Sequence, residues 1–299
     1  MKSLPDLDRL LATMDVGVEQ FAACEIGAGR SLTPAPAGAV LALCVMRGAL
    51  ELSAPGQEPR ICPTGAMIVL PPGLTARLIP LGTDGEVDVA AGLVRASLGG
   101  TLGLLDRARV PVVEDFGDSA LVRLSFLEML RIGSAREPGL GGSAILGALM
   151  KTCLLMLLGR FFERPGIDHK IVSALADPRL AGVVALIIDR PAAPHTLETL
   201  ANRAGVARST FVRLFADALG QSPMEFIAKA RLFRAAAMLR SGSEPVKTVA
   251  AAVGFSSRSH FSRTFRDAYG CDPTAFRQAH RQQAPVPIPR AVLNIVPAQ

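Results

Sequence analysis

Apolar residues recur along this chain with two different periods. In the first hundred residues they come in short runs, 40–52, 65–70 and 76–80, divided by turns such as Ala54-Pro-Gly-Gln57 and Pro71-Pro-Gly73. Runs punctuated this way predict strands, and several at such spacing predict an antiparallel barrel or jelly roll. Beyond residue 115 the pattern lengthens to that of helices over 119–131, 143–162 and 177–190. The 143–162 segment is apolar nearly all round, which calls for a partner surface in the chain or in a second subunit; Lys151 and Arg160 interrupt it, so it reads as a buried or dimer-forming helix rather than a membrane span.

The last third of the chain repeats itself. The run Phe211-Val-Arg213-Leu-Phe215-Ala-Asp-Ala-Leu-Gly220-Gln-Ser-Pro223-Met-Glu-Phe226 returns fifty residues later as Phe261-Ser-Arg263-Thr-Phe265-Arg-Asp-Ala-Tyr-Gly270-Cys-Asp-Pro273-Thr-Ala-Phe276. Ahead of each copy lies a short amphipathic stretch and a glycine, 197–204 with Gly205 and 246–253 with Gly254. Helix, glycine turn and helix make a helix-turn-helix unit, whose second helix enters a DNA major groove.

Within each second helix the phenylalanines stand four apart and share one inward stripe. Two residues past the first Phe the helix has turned about 200°, so Arg213 and Arg263 fall on the outer face. Arg208, Ser209, Val212 and Arg213 form that face in one copy, and Ser257, Arg258, Ser259, His260, Ser262 and Arg263 in the other. Arginine can bond guanine O6 and N7 together, serine suits any base edge, and valine offers a methyl surface to thymine. Ala207 opens the first of these helices and has no side chain able to cap it.

With these residues in view, the stretch 197–277 resembles the DNA-binding domain of the AraC/XylS family of transcriptional regulators. The closing run from Gly254 to Arg266, followed by Tyr269-Gly270 and Pro273, carries the most specific part of the likeness. The resemblance implies base or phosphate contact for the two outer faces. The order of pieces from Arg47-Gly-Ala-Leu-Glu-Leu through Pro63 to Gly73 is similar, more loosely, to the cupin-like effector domain at the N-terminus of many such regulators.

Charge follows the same division. Residues 196–282 hold 13 Lys/Arg against 6 Asp/Glu, whereas residues 1–195 hold 18 against 20. The positive excess therefore lies on the repeated module, where phosphate neutralisation drives affinity. The basic residues are interleaved with a folded repeat instead of clustered in a run, which argues against a membrane surface as their partner. Asp6, Asp8 and Arg9 break any early apolar run, so no secretory signal is expected and the location is cytoplasmic.

Candidate chemistry is sparse. Cys24, Cys44, Cys62, Cys153 and Cys271 lack Cys-x-x-Cys spacing and read as reduced, mostly buried thiols, with redox sensing open for Cys24 or Cys62. The histidines are His169, His195, His260 and His280, all outside the strand region, so no histidine-held metal is expected there. No cofactor, metal or catalytic residue is expected, and the chain is not read as an enzyme; a DNA-targeted metalloenzyme with a carboxylate-only site is the remote alternative. For an effector, Arg47 and Arg77 stand among apolar strands. Arg160 and Arg164, with Ser53 in Glu51-Leu-Ser53-Ala-Pro-Gly56, resemble in reversed order the elements of PilZ-type cyclic di-GMP sites.

The expected architecture is α+β and multidomain. Residues 1–115 form an antiparallel cupin-like (jelly-roll) domain for effector binding and dimerisation, and 116–190 a helical connector that also dimerises. Residues 191–282 form an all-α domain with two helix-turn-helix units, entered through a proline-stiffened linker at 190–195, and 283–299 form a disordered tail. The expected function is effector-controlled, sequence-specific regulation of transcription by a homodimer on promoter DNA, with RNA polymerase as a further partner if it activates. The effector classes in view are a sugar, amino acid or aromatic compound ahead of a cyclic dinucleotide. A constitutive DNA-binding dimer or a thiol-based redox regulator stands as the alternative.

Overall fold

The computed structural model describes residues 11–26, 30–32, 35–36, 38–81, 87–103, 105, 108, 110–134, 141–163, 177–282 and 296–297. Its described residues divide into two compact units, 15–97, 103–163 and 296–297 in one, and 11–14, 98–102 and 177–282 in the other.

Among the described residues the N-terminal unit has ten strands: β1 (Met14–Ile26), β2 (Arg30–Leu32), β3 (Val40–Arg47), β4 (Ala49–Ser53), β5 (Arg60–Pro63), β6 (Ala66–Leu70), β7 (Ala76–Leu81), β8 (Val87–Leu98), β9 (Val112–Asp115) and β10 (Val296–Pro297). They form two five-stranded sheets, ordered β1-β8-β3-β6-β9 and β10-β2-β7-β4-β5. Pairing is antiparallel at β3–β6, β3–β8 and β6–β9 in the first sheet and throughout the second. The run 40–52, expected as one apolar stretch, is two strands in different sheets, and Gly48 makes the corner between them at φ 86°.

Both sheets contribute alternate side chains to one core, including Leu43, Val45, Ile68 and Val89 from the first and Leu50, Cys62 and Leu78 from the second. The other face of β3 is buried as well: Ala42 and Cys44 are 0% exposed. That is why β3 reads as a continuous apolar run instead of an alternating one. Helices α1 (Ala120–Gly133) and α2 (Gly142–Glu163) follow the sheets. Phe126 on α1 meets Phe21 on β1 with ring centroids 5.6 Å apart. A Cβ added at Gly147 on α2 would lie 2.6 Å from the Val16 carbonyl oxygen, so only glycine allows that approach to β1.

Helix α2 is, over Gly142–Phe161, long and apolar enough to cross a membrane by length and composition alone. In this fold Met150, Cys153, Leu154, Leu157 and Leu158 are buried, while Ile145 remains exposed. The tail expected to be disordered lies outside the described residues except for Val296 and Pro297, which pair with Ser31 and Arg30.

The C-terminal unit contains seven helices among the described residues: α3 (Pro178–Asp189), α4 (Leu197–Arg203), α5 (Arg208–Leu219), α6 (Pro223–Ser241), α7 (Val246–Ala252), α8 (Arg258–Tyr269) and α9 (Pro273–Gln282). Helix α3 lies ahead of the boundary expected at 191, yet it packs on α4 and α6 and belongs to this unit. Sequence signals set the helix ends: Thr196 and Ser222 form capping boxes, and Gly220 and Gly270 close α5 and α8 in the left-handed conformation. Helix α6 serves two cores, with Phe226 against Phe215 on one side and Leu232, Ala235, Ala236 and Leu239 in the cluster around Phe261 and Phe265 on the other.

Candidate nucleic-acid interface

The two repeats fold alike down to their aromatic geometry. Phe211 and Phe215 are 5.6 Å apart between centroids, Phe261 and Phe265 5.5 Å. Phe215 meets Phe226 edge-on at 5.5 Å, and Phe265 meets Phe276 edge-on at 5.3 Å. All four helix phenylalanines are 0% exposed. Anchoring that stripe inward turns the opposite face of α5 and α8 to solvent.

That outer face holds the residues expected there. Arg208, Ser209 and Arg213 on α5 are exposed, with Val212 half-buried between them; Arg258, Ser259, His260 and Arg263 on α8 are exposed, with Ser262 half-buried. Among the described residues the guanidinium groups of Arg208, Arg213, Arg258 and Arg263 form no hydrogen bond or ion pair. Several arginines elsewhere are occupied: Arg47 bonds Asp88, Arg95 bonds Glu19, Arg131 bonds Glu128 and Arg179 bonds Asp177. Unpaired guanidinium groups on one face keep their full capacity for phosphate oxygens or guanine edges.

Two of the named residues have local partners. Ser257 is the N-cap of α8 and its hydroxyl accepts from the His260 N–H at 3.4 Å. The His260 ring stands 5.5 Å from the Phe255 ring. Ala207, at the matching position of α5, makes no side-chain cap.

One residue of the framework escaped sequence reasoning. Arg231 on α6 donates from Nε to the Pro191 carbonyl at 2.8 Å, from Nη2 to the Ala193 carbonyl at 3.0 Å and from Nη1 to the Gly254 carbonyl at 3.0 Å. Burial pulls its pKa below the ordinary value of a guanidinium. An arginine inside a helix next to buried alanines and leucines was the available signal, since a charged group in such a place needs partners.

Of the described residues singled out for an effector, Arg77 and Ser53 are neighbours, while Arg47 and Arg160 make other contacts. Arg47 is exposed and bonds Asp88 at 2.7 Å. Arg77 is exposed on β7 with Ser53 on β4 as its cross-strand neighbour. Arg160 clasps Asp118 with Nη2 at 2.8 and 2.9 Å, bonds the Asp115 carbonyl and stacks 4.4 Å above the Phe116 ring. Those contacts tie Arg160 to the end of β9, in the sheet that does not contain Ser53. Arg164 and His169 lie outside the described residues.

Between the sheets, where a ligand was expected, Leu43, Leu50, Ile68 and Leu78 are each 0% exposed. A cleft of about 470 Å³ opens instead among Ala23, Cys24 and Glu25 of β1, Met46, Asp88 and Val89 of β3 and β8, and Leu127 and Leu130 of α1.

Burial pushes the Cys44 thiol up to about 12 and those of Cys62 and Cys153 up to about 11. Burial thus disfavours the thiolate of Cys62, the form that an oxidant attacks. No group of three or more His, Cys, Asp or Glu side chains suited to a metal ion occurs among the described residues.

Residues 200–279 match the family described as "Helix-turn-helix domain". A putative AraC-like transcription regulator of Streptomyces antibioticus is 35% identical over 126 residues, 42% of each chain. The C-terminal helical unit is an AraC-family helix-turn-helix domain. The RCS-specific HTH-type transcriptional activator RclR of Escherichia coli is 32% identical over 145 residues, 48% of this chain and 51% of that one. Among solved structures, the DNA-binding domain of AdpA in complex with a target DNA is 34% identical, with 36% of this chain and 96% of that one covered and a TM-score of 0.35. The chain spans about half the length of curated relatives it matches, such as the Escherichia coli protein. Within the AraC-family domain, Phe211, Phe215, Phe261 and Phe265 form the inner stripe and the arginine faces lie opposite.

Proposed function

We propose that the protein is a sequence-specific, double-stranded DNA-binding regulator of transcription that reads two successive major-groove segments with α5 and α8. The observation carrying this reading is the pair of equivalent outer faces, each with two exposed arginines whose guanidinium groups have no partner among the described residues, on helices anchored by the same phenylalanine geometry. Arg208, Arg213, Arg258 and Arg263 make the main contacts, Ser209, Val212, Ser259, His260 and Ser262 complete the surface, and Ser257 orders the start of α8.

The test is a fluorescence-anisotropy titration of the full chain on labelled duplex over a salt series. Affinity falls steeply with salt, and Arg258→Ala or Arg263→Ala weakens binding to a preferred sequence by about 1–3 kcal/mol. A salt-insensitive interaction, or variants that bind like the wild type, would refute it.

The N-terminal unit is proposed as a cupin-like sensing and dimerisation domain. The cleft beside β1 and α1 has the size of a small-molecule site and combines apolar walls with the carboxylates of Glu25 and Asp88. An effector there must bind the states of the protein unequally to have any effect on DNA. A ligand of the folded protein raises its melting temperature by mass action. A screen of sugars, amino acids, aromatic acids and cyclic nucleotides, repeated on Asp88→Asn, therefore tests the site: a stabilising compound that keeps its effect in the variant binds elsewhere.

A further inference from the structure

We infer that Arg231 is a positioning residue for DNA reading: it locks the first helix-turn-helix unit to the second and so sets the spacing at which α5 and α8 meet the duplex. The inference rests on the DNA-reading function proposed above.

Three segments meet at this side chain. Pro191 and Ala193 belong to the turn that leads through Thr196 into α4; Gly254 is the turn between α7 and α8; Arg231 itself stands on α6, the helix shared by both cores. The turn is internally ordered: the Ala193 N–H donates to the Arg190 carbonyl at 3.1 Å, and His195 Nε2 is 2.8 Å from the same oxygen. It runs directly into the Thr196 capping box, so its place fixes the start of α4 and, through α4, that of α5.

The other side is as closely set. Gly254 has φ 88°, and a Cβ there would come within 2.8 Å of the Ala192 carbonyl oxygen and 3.1 Å of Arg231 Cζ. The turn of the second unit thus rests on the backbone that precedes the first unit, with the guanidinium joining them. A planar fork with fixed N–H directions can hold three carbonyls in one geometry, which a lysine ammonium on a flexible stem cannot. The bonds are charge-assisted, so their loss frees a real constraint.

The experiment uses the full chain and the site that the wild type enriches from a pool of random duplexes. Binding is then measured on that site and on versions with one or two base pairs inserted between the two preferred blocks. The wild type loses at least tenfold on a one-base-pair insertion, because each base pair turns the second segment by about a tenth of a helical turn. Arg231→Lys and Arg231→Gln lose less than threefold, having a looser junction.

Hydrogen exchange without DNA supplies the second readout. In Arg231→Lys the amides of Ala193 and Phe255 exchange at least tenfold faster while those of Phe211 and Phe215 hold. Gly254→Ala disturbs the same junction from the other side and relaxes the spacing in the same direction. A selected wild-type site together with an unchanged insertion penalty in Arg231→Lys would overturn the positioning role alone, and unchanged exchange at Ala193 and Phe255 would overturn the lock. A wild type that enriches no site would instead remove the DNA-reading function on which the inference stands.

Discussion

Ala207 and Ser257 occupy the same position in the two repeats, each the residue before a recognition helix, and only Ser257 caps its helix. Ala207 already has the extended backbone a cap residue takes, φ −64° and ψ 149°, so the geometry is present and the oxygen is missing. Ala207→Ser should stabilise the domain by about 0.5–2 kcal/mol, and Ser257→Ala should destabilise it by a similar amount. Denaturant unfolding of the two variants checks both signs.

The phenylalanine stripe sets which face of α5 and α8 is turned outward. Phe215→Ala and Phe265→Ala remove 0%-exposed side chains and should each cost about 3–5 kcal/mol. Melting curves that match the wild type would contradict their place in the core.

The repeat was legible because Phe211, Phe215, Gly220, Pro223 and Phe226 have counterparts at a constant offset of fifty, and a doubled pattern of core, cap and turn residues specifies both helices at once. The two-sheet architecture was legible only in outline. Strand β1 escaped notice because exposed Asp15, Gly17, Glu19, Ala23 and Glu25 alternate with its inward side chains, so no continuous apolar run marks it, and β8 because Ala, Gly and Arg95 interrupt it. The partners of Arg231 were invisible for another reason: they are backbone carbonyls 23 to 40 residues away, and carbonyls leave no mark in a sequence.

Asp272 caps α9, accepting at Oδ1 from the N–H groups of Ala275 and Thr274 at 3.1 and 2.9 Å. These bonds hold its carboxyl below the ordinary 3.8, the Ala275 bond most strongly. The folded state therefore binds the proton less readily than the unfolded chain, and the contribution of the cap is present at neutral pH and lost as pH falls below that ordinary value. The stability difference between wild type and Asp272→Ala should accordingly shrink between pH 6 and pH 3, as measured by urea unfolding.

The thiols separate by environment. Cys24 and Cys271 are half-buried, whereas Cys44, Cys62 and Cys153 are buried, with pKa values raised to about 12, 11 and 11 by burial above all. Alkylation of the native protein at about pH 7.5 should label Cys24 and Cys271 first and leave the other three until unfolding. Because the folded state keeps those three protons to higher pH than the unfolded chain does, stability falls as pH rises from 9 toward 11. Early labelling of Cys62 would contradict its burial.

In the proposed function one chain reads DNA with two equivalent helices. Selection of preferred sites by the full chain from a random duplex pool tests it most directly. The predicted outcome is an enriched site with two blocks of preferred base pairs about one helical turn, 34–36 Å, apart, of which Arg208→Ala with Arg213→Ala erases one and Arg258→Ala with Arg263→Ala the other. Enrichment of a single block, or a pool left unchanged, would contradict it.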